Sequence, residues 1–393
     1  MSKKIEIQRM SELPVIPITI GDMSFNRTGL WRFLEPVIQD KLAPCQLACP
    51  LGMPSPIFIA DLVRQDANQA LARILEVNPL PGVTGRLCYH PCQANCLRRH
   101  LDQPIQIQAL ERYVAEKAKE PSFKLEARPK ARVGVLGAGP VGLAAAYFLG
   151  RAGLRATVID PLERAGGFLT EVDEERLPAA VLANEVARLS RLAGLELRLS
   201  AEVEAVDFSA YGWDLVIHDK TAHDNKSEAG VRLASLAKLM SRSSFGLDTE
   251  SLFGNEGYKA SQVGLALANG RRLAFKAMEA MDLRSGEIKL EAVANSAVSQ
   301  ERIRYDLFVA QPRVETYSRT KTISEAQAHQ EAGRCFSCGH CNLCGRCLIF
   351  CPDVSLRVNE ENQRPAVDLE HCKGCGICAH ECPRGVISME RKV

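Results

Sequence analysis

The chain has 393 residues, 46% hydrophobic and 24% charged, a globular composition long enough for two or three domains. Its 49 basic and 47 acidic residues are spread evenly and leave a net charge of +2, which excludes a nucleic-acid stripe and a polybasic membrane patch. Fifteen cysteines, behind a start (MSKKIEIQRMSELP) with no apolar core of signal-peptide length, point to a reducing compartment where thiols hold metal rather than pair as disulfides. The expectation is a soluble cytoplasmic chain.

Residues 5–20 hold a short apolar alternation, Ile5 to Ile7 and Val15 to Ile20, readable as strands or as an extended arm. After NRTGLWRFLEPVIQDKLAP come Cys45, Cys49, Cys88, Cys92 and Cys96, interleaved with two helical patterns. Ser55 followed by Pro56 reads as a helix cap with proline in the first turn. Residues 120–131, charged and with two prolines, read as a linker. Strand Arg132–Leu136 then runs into Gly137-Ala-Gly139-Pro-Val-Gly142 and a helix to about Gly150, with a second strand, Arg155–Ile159, ending in Asp160. This is the dinucleotide fingerprint in its required context. Gly137 makes the turn, Gly139 lets the backbone approach a pyrophosphate, Gly142 permits close packing, and Asp160 would bond a ribose hydroxyl. The uncharged run from Val133 to Gly150 is long enough to imitate a membrane span, but strand, turn and helix account for it.

The most specific signal is the C-terminal run CFSCGHCNLCGRCLIFCP and CKGCGICAHECP. Its inner part repeats the bacterial two-cluster ferredoxin spacing, in which three thiolates hold one [4Fe–4S] cube and the fourth crosses to the other. Cys341, Cys344 and Cys347 then pair with Cys382, and Cys372, Cys375 and Cys378 with Cys351. A zinc ribbon would need only separated Cys-x-x-Cys pairs. The helical pattern TISEAQAHQEAGRC leads into the run. His90, His340, His371 and His380 adjoin cysteines and are read as neighbours of clusters rather than ligands.

The segments CQLACPLG, NPLPGVTGRLCYHPC and PIQIQALE resemble the N-terminal iron–sulfur domain of the glutamate synthase small subunit and of dihydropyrimidine dehydrogenase. That family carries a further Cys-x-x-Cys before Cys45, where this chain has IQDKLAP. It also has precedent for a non-cysteine ligand in the helix after the PIxI segment. The matching residue is Glu111, which puts Cys49, Cys88, Cys92 and Glu111 on one cluster. As an isolated residue Glu111 reads equally as solvated. Cys45 and Cys96 then need two thiolates, and Cys335 and Cys338 are unused by the ferredoxin cubes. The alternative is that these are free thiols and buried core cysteines. With them, fifteen cysteines and Glu111 give sixteen ligands, or four cubes. PLERAGGFL and RLPAAVLANEVARL resemble the FAD domain of the same family, where Gly166 and Gly167 would lie near the flavin phosphates. This resemblance implies FAD rather than NAD in the fingerprint. A full member inserts a second fingerprint for NAD(P)H, which is missing here, and the closing segment reads Gly254-Asn255 where the family has Gly-Asp. The alternative is a scaffold without cofactor.

The resulting expectation is a multidomain α/β plus α chain: a helical iron–sulfur domain (1–122), a truncated Rossmann-like FAD domain (123–315) and a two-cluster ferredoxin (316–393). The expected role is an electron-transfer subunit that joins a catalytic partner to a soluble carrier, with no nucleic acid and no membrane span. A stand-alone NAD(P)H:acceptor oxidoreductase is the alternative, and a scaffold without redox role a third. Thr28, Gly29, Trp31 and Arg32, together with DLEHCKGCGICAHECPRGVISM, resemble the delta subunits of 2-oxoacid:ferredoxin oxidoreductases. That likeness implies a thiamine-diphosphate partner. Trp31 alone also reads as a packing aromatic.

Overall fold

The computed structural model describes residues 27–121, 131–191, 194–201, 211–219, 246–248, 259–283, 297–315, 322–361 and 363–391. The alternation in 5–20 and the Gly254-Asn255 pair lie outside the described residues.

The N-terminal part is a set of short helices: α1 (Pro44–Ala48), α2 (Ser55–Val63), α3 (Ala67–Leu75), α4 (Pro81–Leu87), α5 (Pro91–Ala94) and α6 (Ile107–Lys117). Prolines sit in the first turn of α1, α2, α4 and α5, where a missing N–H costs nothing. Ser55 is not the cap expected from the sequence: it is the first helical residue, and its hydroxyl donates to the Met53 carbonyl instead. Apolar faces of α2, α3 and α6 close over Phe58, Leu71, Ile74, Leu110 and Val114.

The middle unit is a five-stranded parallel sheet in the order β4 (Leu195–Arg198), β3 (Arg155–Ile159), β2 (Arg132–Leu136), β5 (Leu215–His218), β6 (Gly246–Asp248). In its own count that is 3-2-1-4-5, the doubly wound order, with the topological switch between β2 and β5. Short β-branched runs buried on both faces are what a parallel sheet demands. Helix α7 (Pro140–Arg151) explains the uncharged run: every residue from Pro140 to Gly150 is buried. Helix α8 (Ala179–Ser190) flanks the sheet, and α9 (Val263–Ala280) packs along α7. Among the described residues no helix is long and apolar enough to cross a membrane.

The C-terminal unit holds α10 (Glu325–Gly333), α11 (Arg346–Ile349), the hairpin β7 (Leu356–Asn359) with β8 (Arg364–Val367), α12 (Ile377–Glu381) and β9 (Ile387–Arg391). Ser324 and Gln327 form a reciprocal capping box that starts α10.

Two segments pack across the boundaries expected from sequence. Strand β1 (Leu34–Ile38) pairs antiparallel with β9, from Leu34 opposite Arg391 to Ile38 opposite Ile387. Helix α10 places Ala328 and Ala332 in the core of the N-terminal helices. The middle unit is joined as tightly: Leu80, just before α4, and Val83 and Leu87 within it share one core with α7 and α9. Tyr147 Oη and Arg151 both donate to the Leu75 carbonyl.

Candidate cluster sites and the dinucleotide turn

Among the described residues, no group of three or more His, Cys, Asp or Glu is placed to hold a metal ion. The cysteines are nonetheless gathered, and the grouping is one of neighbourhood rather than of a closed coordination sphere. No disulfide joins any of them.

Cys45, Cys96, Cys335 and Cys338 line one cavity, with Arg98 and Phe336 in its wall. Two of these cysteines come from the N-terminal helices and two from the loop after α10. Burial, and then mutual charge with Cys96, Cys338 and Cys335, pushes the Cys45 thiol far above its ordinary value. Burial raises Cys335 to about 11.

A second group contains Cys49, Cys88, Cys92 and Glu111. Burial raises Cys88 to about 12, with Glu111 and Cys49 adding negative charge. Cys92 is raised likewise, with Cys49, Glu111 and Cys88 contributing after burial. Glu111 is buried, not solvated, and burial lifts its carboxyl to about 7. Its Oε1 accepts hydrogen bonds from Asn78 Nδ2 at 2.8 Å and from the Thr84 hydroxyl.

In the C-terminal unit, Cys347 is raised to about 11 by burial and then by Cys382, Cys344 and Cys341. Cys378 is raised to about 12 by burial and then by Cys372, Cys375 and Cys351. A thiol held protonated by burial and by like neighbours needs a cation to become a thiolate, and iron supplies that charge. The donor sets therefore suit [4Fe–4S] clusters. Backbone N–H groups point at several sulfurs: His90 at Cys88 (3.5 Å), Ser337 at Cys335 (3.4 Å) and Ser355 at Cys351 (3.3 Å). Such bonds stabilise the reduced, more negative cluster. Three of the four neighbouring histidines face carboxylates: His340 is 3.1 Å from Asp40, His371 2.7 Å from Asp368 and His380 3.4 Å from Glu381.

Local sequence gives no sign of the clamp that brings Cys335 and Cys338 to Cys45 and Cys96. Arg334 is wholly buried. It donates to Glu331 Oε1 (2.7 Å), Asp102 Oδ1 (2.9 Å) and the Gln103 carbonyl (2.7 Å). Glu331 accepts the amides of Gln106 (2.8 Å) and Val314 (3.0 Å). Arg98 donates to the Arg334 carbonyl (2.6 Å) and stacks 4.8 Å over Phe336. Only the three-residue spacing of Glu331 and Arg334, which sets them on one helix face, could have signalled the first of these pairs.

At the front, Thr28 Oγ1 donates to the His371 carbonyl (2.6 Å), and Arg32 to the carbonyls of Leu369 and Cys372. A Cβ at Gly29 would lie 2.3 Å from the Leu369 carbonyl oxygen, so glycine is required there. Trp31 does not pack: it is 67% exposed, between Leu30 at 91% and Phe33 at 88%.

In the fingerprint turn, Gly137 has φ +103° and Gly166 φ +132°. Gly139 stands before α7, and Gly167 opens a short helical turn. Asp160, read as the ribose partner, is 1% exposed. Its Oδ2 accepts the Ala138 amide (2.7 Å) and its Oδ1 the Leu162 amide (2.9 Å). Asp219, which sequence reading passed over, follows β5, and its Oδ2 accepts the Gly142 amide at 2.8 Å.

Comparison with known proteins matches three stretches to family models. Residues 37–123 match dihydropyrimidine dehydrogenase domain II, 4Fe-4S cluster; residues 135–185 match an NAD(P)-binding Rossmann-like domain; residues 340–386 match a 4Fe-4S dicluster domain. Among curated relatives, the beta subunit of the NADP(+)-dependent formate dehydrogenase of Moorella thermoacetica is 33% identical over 187 residues, covering 41% of this chain and 26% of that protein. The NAD-dependent dihydropyrimidine dehydrogenase subunit PreT of Salmonella typhimurium is 30% identical, covering 41% of this chain and 40% of that one. Glutamate synthase [NADH] of Saccharomyces cerevisiae is 34% identical, covering 36% of this chain and 7% of that one. The chain thus spans less than half the length of these relatives. It carries iron–sulfur domains at both ends and a Rossmann-like unit between them.

Proposed function

We propose that the chain is an electron-transfer subunit of a larger oxidoreductase and carries single electrons along a wire of four [4Fe–4S] clusters. The ligands would be Cys351, Cys372, Cys375 and Cys378; Cys341, Cys344, Cys347 and Cys382; Cys45, Cys96, Cys335 and Cys338; and Cys49, Cys88, Cys92 and Glu111. The observation that carries this reading is the gathering of all fifteen cysteines into four neighbourhoods.

Ligand spacing supports the order just given. Cys347 and Cys351, and likewise Cys378 and Cys382, are four residues apart and belong to adjoining clusters. Cys338 and Cys341 are three apart; Cys45 and Cys49, and Cys92 and Cys96, are four apart. Four residues of fully extended chain reach at most about 14 Å, so neighbouring clusters cannot separate far. The cluster spanning the two ends of the chain becomes the middle link. Thiolate-held iron does the one-electron chemistry when bound. The chain's part is to bury most of the sulfurs, Cys344 and Cys375 excepted, and to aim N–H groups at several of them.

The partner we favour is a thiamine-diphosphate 2-oxoacid oxidoreductase core, docked through Leu30, Trp31 and Phe33. Thr28, Gly29 and Arg32 tie that segment to the loop of Cys372 and leave its aromatic residues outward; Cys375, three residues after Cys372, is exposed as well. Aromatic anchors of this kind dominate interface energies. Trp31→Ala is expected to weaken co-purification of the catalytic subunit by about 2 kcal/mol or more, some thirtyfold, with iron content unchanged. A variant that co-purifies as well as the parent would remove Trp31 from the interface. A native complex lacking thiamine diphosphate, and unable to reduce viologen with any 2-oxoacid plus coenzyme A, would rule out that partner and leave the relay standing.

A further inference from the structure

Dinucleotides in doubly wound sheets lie across the carboxyl ends of the strands at the switch point, with the pyrophosphate on the amides that open the first helix. Here that place is at the ends of β2 and β5, over Gly137 to Gly142. Two of its amides, those of Ala138 and Gly142, are already bonded to carboxylates of the chain itself. Asp219 is the first residue after β5 and is anchored by its own amide on the Leu136 carbonyl (2.7 Å). Its carboxylate accepts the Gly142 amide (2.8 Å), and the residue is 1% exposed. Asp160, also 1% exposed, accepts the amides of Ala138 and Leu162, one on each carboxylate oxygen. Every residue from Gly137 to Gly142 is buried.

The glycines do not require a ligand either. A Cβ at Gly142 would fall 2.2 Å from the Gly137 carbonyl oxygen, so closure of the turn alone demands glycine there. A pyrophosphate brought to this turn would meet a buried carboxylate bonded to one of its amides, like charge against like charge.

We propose that Asp219 is an internal substitute for the pyrophosphate. The Rossmann-like unit then holds neither FAD nor a nicotinamide dinucleotide and serves instead as a wall for the adjacent cysteine group. The second half of that statement rests on α9. Ser261, just before it, accepts the Tyr89 amide (3.1 Å), and a Cβ at Gly264 would lie 3.6 Å from the Cys88 sulfur. The unit thereby presses its closing helix against the group of Cys49, Cys88, Cys92 and Glu111. Electrons would cross this chain one at a time, with no two-electron stop.

The test uses the full chain purified anaerobically with its clusters. Flavin released on denaturation is measured by chromatography, and FAD and NADH are titrated by fluorescence quenching. The parent protein is expected to release no flavin and to show no saturable quenching. Asp219→Ala, which frees the Gly142 amide and removes the charge, is expected to bind FAD on the order of a hundredfold more tightly than the parent. Asp219→Asn keeps an acceptor for that amide, so it guards against simple loss of fold; it is expected to gain binding to a smaller degree. Stoichiometric flavin in the parent would overturn the proposal. So would folded Asp219→Ala and Asp219→Asn proteins that ignore FAD as the parent does. Iron content is read separately: flavin bound with iron intact would refute this inference and not the relay.

Discussion

Replacing Cys335 and Cys338 together with serine is expected to remove one of four clusters, about four of about sixteen iron atoms per chain, and to cut the wire in the middle. These residues share a cavity with Cys45 and Cys96, which have no other cysteines to complete a set. The two clusters of the ferredoxin run use none of the four and are expected to survive. Iron analysis gives the count. Dithionite reduction followed by electron paramagnetic resonance separates the remaining clusters. An electron donor that enters at the C-terminal unit is expected to reduce the ferredoxin clusters of the variant and to leave the Cys49 group oxidised. Full retention of iron in the variant would remove the cross-domain cluster, as would a parent protein holding only about twelve or about eight atoms. The companion change Glu111→Ala is expected to cost the Cys49 cluster, because burial and two hydrogen bonds fix that carboxylate in place. Its loss with iron unchanged would show that Glu111 is a structural acid and not a ligand.

Arg334→Ala is expected to destabilise the fold by about 3–5 kcal/mol, the usual cost of removing one member of a buried charged set. Glu331 would be left wholly buried with its partner gone, and Asp102 and the Gln103 carbonyl would each lose a donor. The same change removes one of the side-chain ties between the loop of Cys335 and the segment of Cys96 and leaves Arg98 as the other, so the cross-domain cluster is expected to go first. Glu331→Leu with Arg334→Met removes both charges and is expected to cost less than Arg334→Ala. Chemical denaturation followed by circular dichroism ranks the three proteins; a double variant as unstable as the single one would show that packing, not charge, is at issue. The clamp also has a pH signature. Burial alone would raise Asp102, but hydrogen bonds from Arg98, Gln311 and Gln103 outweigh it and hold the carboxyl well below the usual range. Because the folded value is depressed, the contribution is present above the unfolded value of about 3.9 and is lost as pH falls below it. Stability that stays level from neutral pH down through that range would contradict the assignment.

Some of this molecule is written locally and some is not. Strand Arg132–Leu136, the turn at Gly137 and strand Arg155–Ile159 are legible because β-branched runs, glycine at positive φ and an acid at a strand end are properties of short stretches. The neighbourhood of Cys341, Cys344, Cys347 and Cys382 was legible because the spacing of cysteines in a tight loop carries the expected coordination chemistry. That Cys45 and Cys96 needed partners came from the family resemblance, which set Cys49, Cys88, Cys92 and Glu111 aside as one group, and then from counting.

Tertiary structure decided the rest. Whether Glu111 is solvated or buried depends on Asn78 and Thr84, which reach it from another helix and its approach. Whether Trp31 packs depends on Thr28 and Arg32 binding a loop more than three hundred residues away and turning the aromatic outward. The glycine fingerprint reads the same with or without a ligand, because closing the turn and admitting a pyrophosphate call for the same residues. What separates the two cases is Asp219, and nothing in its neighbourhood in sequence marks it. It meets Gly142 only because the order of the parallel strands sets β5 beside β2, and a sheet's strand order is a long-range contact that no short stretch of residues encodes.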